Sequence, residues 1–211
     1  MKKRKISTKK IVKFTIAILI IIVLIVLAIK FINKDNVGKE KVKVEDEIKA
    51  YGYKLDDNET AYYKDLFKKL KTVLEKKKID ENQYASLVGQ LFLADFFNLD
   101  NKISKNDIGG VQFVYTDFQS DFEKIAKEGL YNAVVNKAGG AKKANELPEV
   151  TNIEVVDLEH INHEYLDKAD EDAITVDLKI TYKKDLGYQD TTSLILVHNG
   201  KKLEIAKMSE K

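Results

Sequence analysis

Asp95 is the residue whose surroundings best suit it to chemistry, because it lies inside the apolar run FLADFF from Phe92 to Phe97. Burial among such side chains raises the pKa of a carboxylic acid, and a raised pKa suits a general acid or base. The alternatives are that Asp95 caps a local turn, pairs with a lysine, or lies at the one polar edge of a helix. We favour these alternatives, so we predict no catalytic residue and keep Asp95 as the only candidate.

Metal binding is the next chemistry to consider. The only histidines are His160, His163 and His198. The first two are three residues apart in a predicted strand and would point to opposite faces, where they cannot both hold one metal ion. A turn-rich loop carries many oxygen ligands but lacks the alternating acids and the final glutamate that calcium loops use. We therefore predict no metal site; the loop residues concerned are Asp100, Lys102, Ser104, Asn106 and Asp107.

Binding is a better expectation than catalysis. The sequence has no Gly-rich phosphate loop, no nucleophile elbow and no cysteine, so we predict no cofactor and no disulfide. Tyrosines at the edges or turns of predicted elements suit a surface that contacts another protein. The candidates for such a partner surface are Tyr51, Tyr53 and Tyr188.

An apolar run near the N-terminus predicts a membrane anchor. Phe14 to Ile29 contain no charge, glycine or proline, and residues 1–13 carry seven Lys/Arg and no acid. With flanking lysines that reach the headgroups, residues 14–32 are long enough for a transmembrane helix in the lipid bilayer. The basic tail then stays in the cytoplasm and the rest lies outside. The alternative is a signal peptide cleaved after Ala28.

The charge of the chain argues against a nucleic-acid partner. The whole chain carries a formal net charge of +2 and the tail carries +7, so residues 14–211 carry −5. We expect residues 33–54 to form a charged stalk, partly helical near Val44 to Ala50. The remaining residues, 55–211, are enough for one domain of ordinary size outside the cytoplasm.

Three helices are predicted at the start of this domain. The first opens among Asp56 to Glu59 and buries one face, and the second begins at the capping pair Asp80 and Gln83. A short β-prone run, VQFVY from Val111 to Tyr115, precedes a third helix. That helix opens at Thr116 with Gln119 and ends at Gly139-Gly140. The buried face of the first helix comprises Tyr63, Leu66, Phe67, Leu70, Val73 and Leu74.

Strands make up the rest of the domain. A first strand spans Val150 to about Tyr165, with a bulge at Val155 and Val156, where the apolar parity shifts. Residues 174–182 alternate between apolar and polar, and residues 193–198 are apolar on both faces, as in a central strand. Asn199-Gly200 predicts a two-residue hairpin turn into residues 203–208. The fold class is α+β, with three helices packed on a curved antiparallel sheet of about four strands.

This order of elements resembles the NTF2-like family, whose helices pack into the concave face of a bent sheet. The resemblance covers about Leu55 to Met208 and rests on the helix order, the short run before the third helix and the bulged strand. With a cytoplasmic tail and one membrane span, the chain also resembles VirB8-type components of conjugation and secretion machines. It equally resembles uncharacterised surface proteins of Gram-positive bacteria. The resemblance supplies no catalytic residue.

These observations favour a non-enzymatic, single-pass membrane protein. Its external domain would mediate contact with other envelope proteins or with itself, as the VirB8-type resemblance implies. The alternative is a small-ligand-binding domain or enzyme that uses the hollow of the cone, with Asp95 and a nearby tyrosine as its polar groups.

Overall fold

The computed structural model describes residues 43–134 and 146–211. The predicted tail, the predicted transmembrane helix at 14–32 and the first part of the predicted stalk lie outside these residues, as does Gly139-Gly140. Within the two described ranges, no helix is long and apolar enough to cross a membrane. The anchor therefore stays a prediction.

The folded domain begins earlier than the predicted start at Leu55. Strands β1 (Val44–Ile48) and β2 (Tyr53–Asp56) pair as an antiparallel hairpin. Its turn includes Gly52 at a φ of 70°, and Ile48 and Tyr53 are buried in the core. The predicted stalk, and its helix near Val44 to Ala50, are thus wrong for this segment. The acids of β1 made this segment look like a solvated stalk. Two of them instead bind lysines of the first helix.

Helices α1 (Ala61–Leu74) and α2 (Glu81–Phe96) follow the sequence pattern closely. The six residues predicted for the buried face of α1 are all buried, and Asp80 caps α2 by accepting a hydrogen bond from the Gln83 amide. The cap of α1 is Thr60, just after the predicted opening. Gly89 lets α2 approach the sheet, because a Cβ there would lie 3.0 Å from Leu178 Cδ1.

The third helix is shorter than predicted. Helix α3 spans Gln119–Glu128 and ends at Gly129, while Leu130–Ala133 form a separate 3₁₀ turn. The predicted strand before it is instead a 3₁₀ turn, Val111–Phe113, followed by a single parallel bridge from Val114 to Ile205. Thr116 caps no helix, because its backbone and hydroxyl bind the buried Glu204.

Four strands form an antiparallel sheet in sequence order: β3 (Val150–Tyr165), β4 (Lys168–Tyr182), β5 (Thr191–Asn199) and β6 (Lys202–Glu210). The predicted α+β class, with three helices and a four-stranded sheet, is confirmed. The predicted bulge is also confirmed, since the register shifts between Val155 and Asp157. Strand β5 lies between two partners, as its apolar residues require.

The turn between β5 and β6 lies one residue later than predicted. Asn199 pairs with Lys202, so the two loop residues are Gly200 and Lys201. Gly200 has a φ of 64°, and glycine at the first central position is the preference of a type II′ hairpin turn. The hairpin itself was predicted correctly, and only its register was wrong.

The core lies between the helices and one face of the sheet. Side chains of β4 and β5 that point to this face, including Val176, Leu178, Leu194 and Leu196, are almost completely buried. The other face carries a smaller cluster around Tyr115, Ala173 and Val197. Adjacent residues of a strand point to opposite faces, which places Leu196 in the first cluster and Val197 in the second.

Candidate functional site

Asp95 lies in the last turn of α2, where it belongs to a buried ionic cluster with Lys102 and Glu59. The exposed fractions of these side chains are 10%, 2% and 7% respectively. Asp95 Oδ1 accepts a hydrogen bond from the Lys102 ammonium, and Asp95 Oδ2 accepts one from the Gly110 amide at 2.6 Å. The expectation that Asp95 pairs with a lysine is therefore confirmed.

Glu59 brings the start of α1 to the same cluster. Its Oε1 lies 3.8 Å from Lys102 Nζ. Burial, and then the negative charge of Asp95, raise the pKa of Glu59 to about 8. Burial alone would lower the pKa of Lys102, but the charges of Asp95 and Glu59 outweigh it and raise that pKa. The lysine therefore stays charged, and Glu59 carries a proton near neutral pH.

Two glycines close the loop over Asp95. A Cβ on Gly109 would lie 2.3 Å from the Asp95 carbonyl oxygen, and Gly110 has a φ of 78° and faces the ring of Phe92. The Tyr131 hydroxyl accepts a hydrogen bond from the Gly109 amide at 2.9 Å and donates one to the Phe96 carbonyl at 2.8 Å. The backbone thus seals this cluster, and any larger residue at either position would open it.

The closed geometry argues against Asp95 as a general base. Both of its oxygens already accept hydrogen bonds, and a base must reach the proton that it removes. Phe92 and Phe96 are buried beside it, and Phe122 packs against both rings at centroid distances of 5.8 and 5.1 Å. The side of the sheet that faces the helices is filled where Asp95 lies.

The loop that carries Lys102 uses its polar groups internally. Asp107 Oδ2 accepts a hydrogen bond from the Ile103 amide at 3.0 Å, and Ser104 Oγ accepts one from the Asn106 amide at 3.2 Å. In the part of the chain that the structure describes, no group of three or more His, Asp or Glu residues could hold a metal ion. No local pattern predicts that Lys102 turns inward, because its partners are Asp95 in α2 and Glu59 just before α1.

Two of the three histidines connect the sheet to the start of α2. His198 Nδ1 lies 2.8 Å from Asp170 Oδ2, and its Nε2 lies 2.7 Å from Glu81 Oε1. Burial acts to lower the pKa of His198, but its hydrogen bonds to Glu81 and Asp170 outweigh burial and raise that pKa. We call this arrangement the His198 clasp.

The other two histidines differ in their contacts. His160 makes a similar connection to the start of α2, with Asp172 at 2.6 Å and Asn82 at 2.7 Å. His163 instead stacks on the ring of Tyr165. Sequence reasoning considered the histidines only as metal ligands and missed these links, because their partners are distant along the chain.

The three tyrosines predicted for a partner surface differ in burial and in their contacts. Tyr53 is fully buried and was predicted wrongly; its hydroxyl is 2.7 Å from the Tyr84 hydroxyl and 3.1 Å from the Leu203 carbonyl. Tyr51 is half-buried and stacks on Tyr53. Tyr188 is half-buried and packs on Tyr182. For Tyr51 and Tyr188 the partner surface stays a prediction.

An apolar groove lies between α3 and β6. Its cavity volume is about 250 Å³, and its lining includes Phe118, Phe122, Ile125 and Met208. Ile125 is exposed although it is a large aliphatic residue. Exposed apolar surface next to a sheet edge is a feature of protein-binding sites.

Comparison with protein-family models, with curated proteins and with solved structures found no match for this chain. Its function is therefore inferred from its own residues. They offer a sealed ionic cluster, a filled sheet face and several surfaces that a partner could contact.

Proposed function

We propose that this chain is a single-pass membrane protein without enzymatic activity, whose folded domain contacts other proteins of the cell envelope or itself. The anchor is residues 14–32, the basic tail is cytoplasmic, and residues 43–211 lie outside. The observation that carries the proposal is the sealing of Asp95 by Lys102 and Gly110. The best candidate for catalysis is thereby engaged in holding the fold together.

The finer proposal is that the domain is NTF2-like and that the protein works in an assembly of the VirB8 type. The order of three helices followed by a four-stranded antiparallel sheet supports it. In this proposal the inner face of the sheet holds side chains in place of a ligand. Partners then bind on the outside of the domain, where the α3–β6 groove lies.

The membrane topology can be tested with single cysteines, since the natural chain has none. Ser7→Cys reports on the tail, and Val156→Cys reports on an exposed position in β3. A maleimide that cannot cross membranes should label Val156→Cys in intact, wall-stripped cells and Ser7→Cys only after lysis. Labelling of Ser7→Cys in intact cells would overturn the proposed topology, and so would full-length protein in the soluble fraction.

The proposed binding role can be tested with photo-activated cross-linkers attached to single cysteines in living cells. Suitable exposed positions on different surfaces are Ile125, Val156 and Leu186. We expect at least one position to form a reproducible adduct with an envelope protein or with a second copy. No adduct from any of the three positions, at normal expression, would count against a contact-making role.

A further inference from the structure

The hairpin formed by β3 and β4 is strongly acidic. Residues 150–182 contain nine Asp or Glu and two lysines, Lys168 and Lys179. The domain as a whole is only mildly acidic, so these charges are concentrated in one hairpin. A surface with this charge attracts cationic partners and repels anionic ones.

Two carboxylates face each other on the outer face of this hairpin. Asp157 of β3 pairs directly with Asp177 of β4, and Glu159 follows on the same face of β3. Like charges directly opposite one another destabilise a sheet. A cation close to the pair would offset this repulsion.

Lys211 supplies such a cation within the chain. Its ammonium pairs with Asp177 Oδ2, and the charges of Asp157 and Glu159 also act on it. The lysine side chain is 61% exposed, whereas that of Asp177 is 9% exposed. The acceptor is thus built into the sheet, while the ammonium reaches it from solvent.

The acceptor is not saturated by Lys211. Among the described residues, the buried Asp177 Oδ1 has no hydrogen-bond partner of good geometry. Burial acts to raise the pKa of Asp177, but hydrogen bonds from Lys211 and Ser193 outweigh it and lower that pKa. A cleft of about 30 Å³ lies beside it, lined by Asp157, Glu159, Thr175 and Asp177 with Leu158. This volume suits one group of the size of a water molecule or an ammonium.

Strand β3 also lies at an edge of the sheet. In the described part of the chain its only strand partner is β4. An edge strand presents free backbone groups on which an extended segment can pair. In such a segment alternate side chains would lie beside Asp157 and Glu159, because successive residues of a strand point to opposite faces.

We infer that the outer face of the β3–β4 hairpin binds an extended, lysine-rich segment of a partner protein, with one ammonium group in the cleft between Asp157, Glu159 and Asp177 and the others along the acidic face. This inference rests on the proposed binding function and names the surface and the chemistry of the partner. In the free protein the ammonium group of Lys211 pairs with Asp177, so it competes with the partner's lysine for the same cleft.

The test uses the full chain in detergent micelles and a labelled peptide of alternating lysine and threonine. A peptide of alternating glutamate and threonine controls for non-specific binding. A third peptide, with the same lysines in one block, tests the alternating spacing. Fluorescence anisotropy gives the affinity. We expect the alternating lysine peptide to bind most tightly, and its affinity to fall with added salt.

Paired variants locate the surface. Asp157→Asn with Glu159→Gln should weaken binding about tenfold, because two charge contacts are lost. The matched control, Glu123→Gln with Glu128→Gln, removes two exposed acids from α3 and should leave the affinity unchanged. Lys211→Ala should strengthen binding about threefold, because it removes the competing ammonium group. Thermal melting of each variant confirms that the fold is intact.

Several results would overturn the inference. One is that the Asp157/Glu159 variant binds the alternating lysine peptide as tightly as the Glu123/Glu128 control does. Another is that the glutamate peptide binds as tightly as the alternating lysine peptide. Saturable calcium binding that depends on Asp157, without peptide binding, would make this a metal site. Self-association that is lost in the paired Asp157 variant would assign the face to a second copy. If the Ile125 position gives adducts in cells and Val156 does not, the binding function stands and this surface is wrong.

Discussion

At the scale of single residues, the cluster of Asp95, Lys102 and Glu59 shows how one chemistry-bearing residue becomes structural. A carboxylate in the run from Phe92 to Phe97 must find a cation or stay protonated. Lys102 supplies the cation from the following loop, and the Gly110 amide satisfies the second oxygen. The same contacts occupy both of the oxygens with which a general base would accept a proton.

Replacing Lys102 by methionine should be strongly destabilising. Methionine keeps the aliphatic length but leaves Asp95 as an unpaired buried charge, so we expect the free energy of unfolding to fall by about 3–5 kcal/mol. Lys105→Met, at an exposed position of the same loop, should change it by less than about 0.5 kcal/mol. Denaturant unfolding of the full chain, followed by near-UV circular dichroism, measures both.

A double variant shows whether such a loss of stability comes from the broken ion pair or from altered packing. Lys102→Met combined with Asp95→Leu removes both charges and should recover a large part of the stability. If the double variant were as unstable as the sum of the two single variants, packing alone would explain the loss and the ion pair would be unimportant.

The protonated state of Glu59 should make stability depend on pH. Its pKa is raised from 4.5 to about 8 in the folded protein, so the folded state binds more protons than the unfolded state between these values. The stability that this proton provides is complete below pH 4.5 and is lost as pH rises towards 8. Glu59→Gln, which mimics the protonated acid, should therefore melt at a higher temperature than the wild type at pH 8.

The measurement for Glu59 is the difference between the melting temperatures of the wild type and Glu59→Gln across this pH range. We expect that difference to be small at pH 4.5 and to grow as pH rises. Glu75→Gln, an exposed acid at the end of α1, serves as the control and should give no trend. A constant difference for Glu59→Gln would contradict the raised pKa.

At the scale of elements, sequence patterns predicted the features that depend on neighbouring residues and missed those that depend on contacts between distant segments. The buried face of α1 and the cap of α2 follow from spacings of three and four residues, which the chain shows directly. The β1–β2 hairpin was missed because the acids of β1 resemble those of a solvated stalk, whereas two of them pair with lysines of α1. The end of α3 was misplaced because Gly129, and not the later glycine pair, stops it.

The candidate site was predictable only in part. Asp95 was identified from its apolar neighbours, but its partners lie at residues 59, 102 and 110, which no local pattern connects. Tyr53 was mistaken for a surface residue because the start of the domain was placed too late. The histidine contacts with α2 also depend on tertiary packing, which only the structure reveals.

The His198 clasp joins two elements, the first turn of α2 and the sheet, and should do so most strongly at low pH. Burial acts to lower the pKa of His198, but the hydrogen bonds to Glu81 and Asp170 outweigh burial and raise that pKa above 6.5. Its stabilising contribution is thus complete below pH 6.5 and is lost as pH rises through the folded pKa. His198→Gln should lower the melting temperature more at pH 5.5 than at pH 9.

His163→Gln is the matched control for the clasp, because His163 stacks on Tyr165 of its own strand. We expect its effect on the melting temperature to be equal at the two pH values. Hydrogen exchange at the first turn of α2 gives a second measurement, and it should be faster in His198→Gln only at low pH. Equal effects of the two histidine variants at pH 5.5 would show that the clasp is not electrostatic.

At the scale of the whole molecule, β6 connects parts of the chain that are far apart in sequence. The Leu203 amide donates to the Tyr84 hydroxyl of α2 at 3.0 Å, and the Leu203 carbonyl accepts from the Tyr53 hydroxyl of β2. Ile205 accepts from the Tyr115 amide at 2.9 Å. Strand β6 therefore fastens the hairpin, a helix and the sheet to one another, so these parts should unfold together.

Ending the chain at Gly200 should therefore abolish folding of the whole domain. The truncation removes Leu203 and Ile205 from the core, exposes the edge of β5 and leaves the buried hydroxyls of Tyr53 and Tyr84 without their backbone partners. A chain ending at Met208 keeps all of these contacts and loses only the last strand residues and the Lys211 ion pair. Near-UV circular dichroism should show a cooperative melt for the longer chain and none for the shorter one. A cooperative melt of the chain that ends at Gly200 would mean that β6 is an accessory strand, and that the hairpin and helices are held to the sheet by other contacts.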